Sequence, residues 1–209
     1  MWAEAFEAAT RVLYWPFALP DERIPTAGSW LQDALLDLSI GVHLDTWEHL
    51  GGHDVDELAG YDLLFVGGGT TSKLVTHLQE NKFADAVRDF LAAGGTYYGG
   101  SAGALLACDE ITLASHIEDD PQSAGMPGLG LVHGVSVFPH ADKFPIHRPV
   151  EVARLLGHSV LVLPESSGVA VGDGTLRAIG PGTPQLVTQV GRSIQALRAG
   201  ETVVLSELY

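Results

Sequence analysis

The chain has 209 residues, a length that suits one compact domain and cannot hold two large ones. Hydrophobic residues make up 46% and charged residues 18%, enough apolar surface to offset the entropy of ordering, which excludes intrinsic disorder. The formal net charge of −15 repels phosphate backbones and anionic lipid, and the one cysteine, Cys108, excludes an internal disulfide.

In chain order, residues 2–9 read as one or two helical turns, and 11–18 as a buried strand running into a Pro-rich loop. Residues 29–38 place Trp30, Leu31, Ala34, Leu35 and Leu38 at a helical period, and 42–47 follow as a short strand. Tyr61 to Val66 is another apolar strand. After Gly67-Gly68-Gly69 come helices over 71–80 and 83–93, then a strand from Thr96 and a helical run at 105–107. Such alternation predicts an α/β fold of three layers, a mostly parallel sheet with helices on both faces, whose ligands bind beyond the carboxyl ends of the strands. From Glu118 to Gly130 the chain is a polar loop rich in Gly and Pro. Strands follow at 135–138, 160–163, 168–171 and 176–179, and Asp173-Gly174 between the last two predicts a hairpin, so the carboxyl end turns antiparallel. With no internal repeat or low-complexity linker, residues 1–209 are expected to form a single domain. No apolar run approaches the roughly 18 residues of a membrane span, and the opening residues lack the basic start of a signal peptide, so the expectation is a cytoplasmic protein.

The sharpest motif is Gly99-Gly100-Ser101-Ala102-Gly103, a G-x-S-x-G between a predicted strand and a helical run. In that context glycines relieve crowding at a tight turn, and the Ser101 hydroxyl projects near a helix amino terminus that favours developing negative charge. A serine that merely caps a helix would leave the same trace. Gly67-Gly68-Gly69-Thr70-Thr71 also lies between a strand and a helix. In acyl transfer the amide after the nucleophile, here Ala102, pairs with an amide from a neighbouring strand-end loop, here Gly69, to hold an oxyanion. The continuation Thr70-Thr71-Ser72-Lys73 fails the spacing of a nucleotide-binding phosphate loop.

Of nine histidines, His140 is best placed as a base, just past a predicted strand that Pro139 ends. His43, His49 and His53 lie in a polar stretch broken by Gly51-Gly52, so they form no helical i, i+4 metal pair and read as solvent-facing; no metal site or cofactor is expected. Any of His116, His133, His147 and His158 reads equally well as a surface or hydrogen-bonded core residue.

Gly67 to Thr71, Gly99 to Ala104, Phe138-Pro139-His140 and Leu163-Pro164-Glu165-Ser166, in that order, resemble the S51 serine peptidases, which include dipeptidase E and cyanophycinase. The resemblance spans roughly residues 11–175 and implies a fold like class I glutamine amidotransferases. It also implies Ser101 as nucleophile, His140 as general base, and Gly69 with Ala102 as donors to the oxyanion. The aspartate of the dipeptidase E triad falls on His116 here, which cannot serve as a carboxylate. Cyanophycinase-like members use a later glutamate, matched by Glu165, so the resemblance implies Ser-His-Glu, with Glu118, Asp119 and Asp120 as substitutes. The arginine that pairs with an acidic first residue of the substrate in dipeptidase E has Arg148 as its nearest counterpart, with Lys143 as the alternative. Thr70 stands where dipeptidase E has asparagine.

The expected function is therefore a serine peptidase acting on small peptides, in particular dipeptides with an acidic first residue. Rival readings are an α/β-hydrolase-type esterase, whose Ser, acid, His order is also present, and a non-catalytic amidotransferase-like binding protein. An amidotransferase proper needs a cysteine nucleophile, and Cys108, seven residues past the turn, is expected on a buried helix face. Met1 starts almost inside the first helix where family members begin with a strand, so either an outer strand is absent or the start is truncated; a sheet edge left exposed would invite pairing with another subunit, and a homodimer is the expectation.

Overall fold

The computed structural model describes residues 2–188 and 193–204; residues 1, 189–192 and 205–209, which the single-domain expectation also covers, lie outside the described residues. The chain divides into two compact units, Trp2–Leu106 and Ala107–Tyr209.

In the first unit, α1 (Trp2–Phe6) leads into β1 (Arg11–Trp15), α2 (Ile24–Asp37), β2 (His43–Thr46) and β3 (Leu63–Val66). Then come α3 (Thr71–Asn81), α4 (Phe83–Ala92), β4 (Thr96–Gly99) and α5 (Ala102–Leu106). The four strands form one parallel sheet in the order β2-β1-β3-β4. β1 and β3 are apolar nearly throughout because both their faces are covered. Val12 and Tyr14, in register with Leu63 and Phe65, join Phe6, Ala27, Leu31 and Leu35 of α1 and α2 in one buried cluster. Leu13 and Trp15 alternate to the opposite face, where Phe83 of α4 meets Trp15 edge-on with ring centroids 5.9 Å apart. Helices thus cover both faces, as the alternating pattern predicts.

Some boundaries differ from the sequence expectation. β1 stops at Trp15 rather than at Ala18, because Pro16 has no N–H for the ladder and the Leu19 N–H turns back to the Pro16 carbonyl at 2.8 Å. α2 starts at Ile24, five residues early, with Pro25 in its first turn, where a missing N–H costs nothing. The helix after Ser101 begins at Ala102 and ends at Leu106. Nor is His53 solvent-facing like its neighbours, since its ring stacks on Trp47 at 3.9 Å and 9°.

In the second unit, α6 (Ala114–Ile117), β5 (Val135–Phe138), α7 (Arg148–Leu156) and β6 (Ser159–Val162) are followed by β7 (Gly168–Gly172), β8 (Thr175–Ile179), β9 (Gln185–Val187), β10 (Ile194–Ala196) and β11 (Thr202–Val204). One sheet has the order β10-β9-β6-β5, with β5 and β6 parallel and the other pairs antiparallel. A second sheet, β11-β8-β7, is antiparallel throughout, and its β7–β8 hairpin turns at Asp173 and Gly174, with φ of 50° and 70°. Cys108 is buried as expected but lies on no helix: it forms a parallel bridge with Val132, and the Val137 N–H donates to its Sγ at 3.3 Å. Among the described residues no helix is long and apolar enough to cross a membrane.

Candidate active site

Ser101 occupies the turn between β4 and α5 with φ of 53°, in the left-handed region that costs an ordinary residue roughly 1–2 kcal/mol. Its neighbours explain how the chain holds it there. A Cβ on Gly103 would run into the Val66 carbonyl, and one on Gly99 into the carbonyl of Gly103. The turn is therefore pressed against the end of β3 more closely than any other residue type allows. The Gly100 N–H donates to the Val66 carbonyl at 3.0 Å, and the Tyr97 hydroxyl donates to the Gly103 carbonyl at 2.6 Å. Two strand ends and the first turn of α5 thereby fix the serine.

The glycine loop after β3 reaches the same point. A Cβ built on Gly68 would sit 3.0 Å from Ser101 Cβ and 3.5 Å from its Oγ, so the loop backbone lies directly against the serine side chain. Gly69 has φ of 139°, a conformation that side chains rarely adopt, and a Cβ there would overlap the Ala18 carbonyl. Thr70 is exposed, its N–H donating to the Ala18 carbonyl at 2.9 Å, and its side chain does not cap α3. Among the described residues, the N–H groups of Gly69 and Ala102 donate to no carbonyl or side chain.

In the second unit, β5 and β6 end side by side and their turns carry His140 and Glu165. Pro139 ends β5, and His140 follows with φ of 55° and ψ of 35°. The Ala141 N–H donates to the Leu163 carbonyl at 3.1 Å, and Phe144 packs edge-on against Phe138 at 5.1 Å. His140 Nδ1 lies 2.8 Å from Glu165 Oε1. A proton on Nδ1, facing the carboxylate, leaves Nε2 with a lone pair, the tautomer a general base requires. Lys143 Nζ pairs with the same oxygen at 2.5 Å and lies 3.5 Å from His140 Nδ1, while Asp142 Oδ1 accepts from the Glu165 N–H at 3.1 Å. Lys143 first, and His140 after it, hold the Glu165 carboxyl below the usual carboxylate range.

Arg148, the first residue of α7, donates through Nη2 to the His116 carbonyl at 2.7 Å and through Nη1 to Glu151 at 3.3 Å. Glu118 lies just past α6, its N–H donating to the Ala114 carbonyl at 2.8 Å, and Asp120 is buried, its carbonyl accepting from the N–H and hydroxyl of Ser123. Burial pushes the Cys108 thiol up to about 12, so it has no thiolate to offer at neutral pH. No cluster of three or more His, Cys, Asp or Glu side chains among the described residues could hold a metal ion.

Sequence reading missed Asp142 and Tyr97, which act through backbone groups and leave no motif. Lys143, the alternative to Arg148 for the substrate, has its ammonium at Glu165.

Ser101 is thus held left-handed between a parallel strand and a helix, with a glycine loop against its side chain, a local geometry similar to the strand-turn-helix of a nucleophile elbow. The chain belongs to peptidase family S51, a family of serine peptidases, whose sequence profile matches residues 4–179. It is 31% identical over 150 residues to Peptidase E of Salmonella arizonae, covering 66% of this chain and 64% of that protein. To Peptidase E of Shigella sonnei it is 26% identical over 209 residues, covering 95% and 88%. The first of these matches therefore takes in just under two thirds of the relative's length. Among solved structures, a peptidase from an acI-B1 actinobacterium shares the fold with a TM-score of 0.72 at 19% identity, over 96% of this chain and 88% of that one. A Listeria monocytogenes protein described as a putative Peptidase E does so with a TM-score of 0.60 at 19% identity, over 95% and 92%.

Proposed function

We propose that the protein is a serine peptidase that hydrolyses small peptides, with Ser101 as nucleophile, His140 as general base and Glu165 as the carboxylate that orients it. The observation that carries this reading is the left-handed Ser101 with the Gly68 backbone against its side chain. Ser101 Oγ attacks the scissile carbonyl carbon and its proton passes to His140 Nε2. The Gly69 and Ala102 N–H groups hold the oxyanion that forms. The imidazolium, paired through Nδ1 with Glu165, then gives its proton to the leaving amine. Water attacks the acyl-enzyme by the same route and releases the acid.

For the substrate we propose dipeptides with an acidic first residue. The Peptidase E relatives support this choice by their likeness, and Arg148 supplies the cation. Its two bonds leave guanidinium donors to spare, whereas Lys143 is engaged at Glu165. A fluorophosphonate probe should label Ser101, and a panel of dipeptides varied at the first residue should show fastest turnover with Asp. Turnover of simple esters without dipeptides would favour an esterase, and no labelling at all would refute the mechanism.

A further inference from the structure

Lys73 lies in the first turn of α3, three residues past Thr70, and its ammonium turns back over the chain. Nζ donates to the Leu19 carbonyl at 2.8 Å and pairs with Asp21 Oδ1 at 2.5 Å, with the lysine side chain only 29% exposed. Both acceptors belong to the segment that follows β1. Its first half is anchored by packing: Phe17 lies 5.4 Å from Trp15 and 4.9 Å from the His77 ring, one turn along α3 from Lys73. Its second half, from Pro20 to Glu22, is exposed.

That segment is also the wall behind the glycine loop. The Ala18 carbonyl accepts from the Thr70 N–H at 2.9 Å and occupies the space a Cβ of Gly69 would need. An exposed ion pair alone contributes little. Here the partly buried bond to the Leu19 carbonyl grips the backbone next to Ala18, so helix, segment and glycine loop form one closed ring.

We propose that Lys73 is a positioning residue: by tying Leu19 and Asp21 to α3 it holds the Ala18 carbonyl against the Thr70 N–H and fixes the direction of the Gly69 N–H. The inference rests on the reading of Gly69 as an oxyanion donor. Such a donor works only when aimed at the oxygen of the transition state, and losing one outright costs about 10²–10³ in kcat. A donor still present but loosely held should cost about tenfold.

The test is the full chain carrying Lys73→Met, assayed with the best dipeptide of the panel and with a peptide boronic acid, which mimics the tetrahedral state. The expected result is a kcat lowered about tenfold, a KM within about twofold of the parent, and boronate affinity weakened about tenfold, with Lys73→Arg recovering all three. Unchanged kcat and boronate affinity, or a rise in KM alone, would overturn the inference. Should Lys73→Met fold poorly, Asp21→Lys reverses the pair at a side chain 90% exposed, where folding is not at stake. It should lower kcat and boronate affinity together, and parent values for both would overturn the inference equally. Fluorophosphonate labelling separates the two levels: an unlabelled Ser101 sinks the peptidase reading and this inference with it, whereas a labelled, active parent matched by Lys73→Met sinks only the inference.

Discussion

His140 and Lys143 meet on one oxygen: Nδ1 of the imidazole stands 2.8 Å from Glu165 Oε1 and the ammonium 2.5 Å from the same atom. Glu165 therefore faces a cation whether or not the imidazole is protonated, and the two side chains that share it come from one short turn after β5. This arrangement makes Lys143 part of the carboxylate's support.

The pairing has a consequence for acid stability. A carboxylate whose affinity for protons falls on folding stabilises the native state fully above its unfolded value near pH 4.3, and loses that contribution as pH drops through the lowered native value. Because the Glu165 side chain is 45% exposed, the gain is below about 1 kcal/mol. Lys143→Met should therefore melt no more than about 2–4 °C below the parent at pH 7, with the gap closing once the pH is taken below the carboxylate range. A gap of equal size at both ends of that titration would show that Lys143 stabilises by packing.

The glycines of the elbow are not equivalent. Gly99→Ala and Gly103→Ala each force a methyl into a backbone carbonyl and should cost about 1–3 kcal/mol, read by urea denaturation. Around Gly100 the nearest atom to an added Cβ is 3.8 Å away, so Gly100→Ala should stay within about 0.5 kcal/mol of the parent. Equal losses at all three positions would contradict the close approach of the turn to β3.

Much of this was legible in the sequence because it rests on period and punctuation. Unbroken apolar runs at Val12–Trp15 and Leu63–Val66 announce strands buried on both faces, and Gly99 to Gly103 announces a turn that only small residues can make. The early end of β1 was also written there, since Pro16 cannot donate to a ladder. Other features were not legible. β9, β10 and β11 are three residues each, too short for any alternation to stand out. The hold of Lys143 on Glu165, and of Lys73 on Leu19, depends on where a long flexible side chain settles after the strands are in register.

Cys108 provides a check on the identity of the nucleophile. Its thiol is fully buried and held up to about 12, so iodoacetamide at neutral pH should neither modify the native protein nor slow it, and Cys108→Ala should keep parent kcat. Inactivation in step with thiol modification would point to a cysteine enzyme.

The most direct measurement is the turnover of Ser101→Ala on an Asp-first dipeptide, with circular dichroism confirming the fold. Loss of a triad nucleophile lowers kcat by about 10⁶, and that is the predicted result. A folded Ser101→Ala protein that cleaves the dipeptide at the parent rate would contradict the account at its centre.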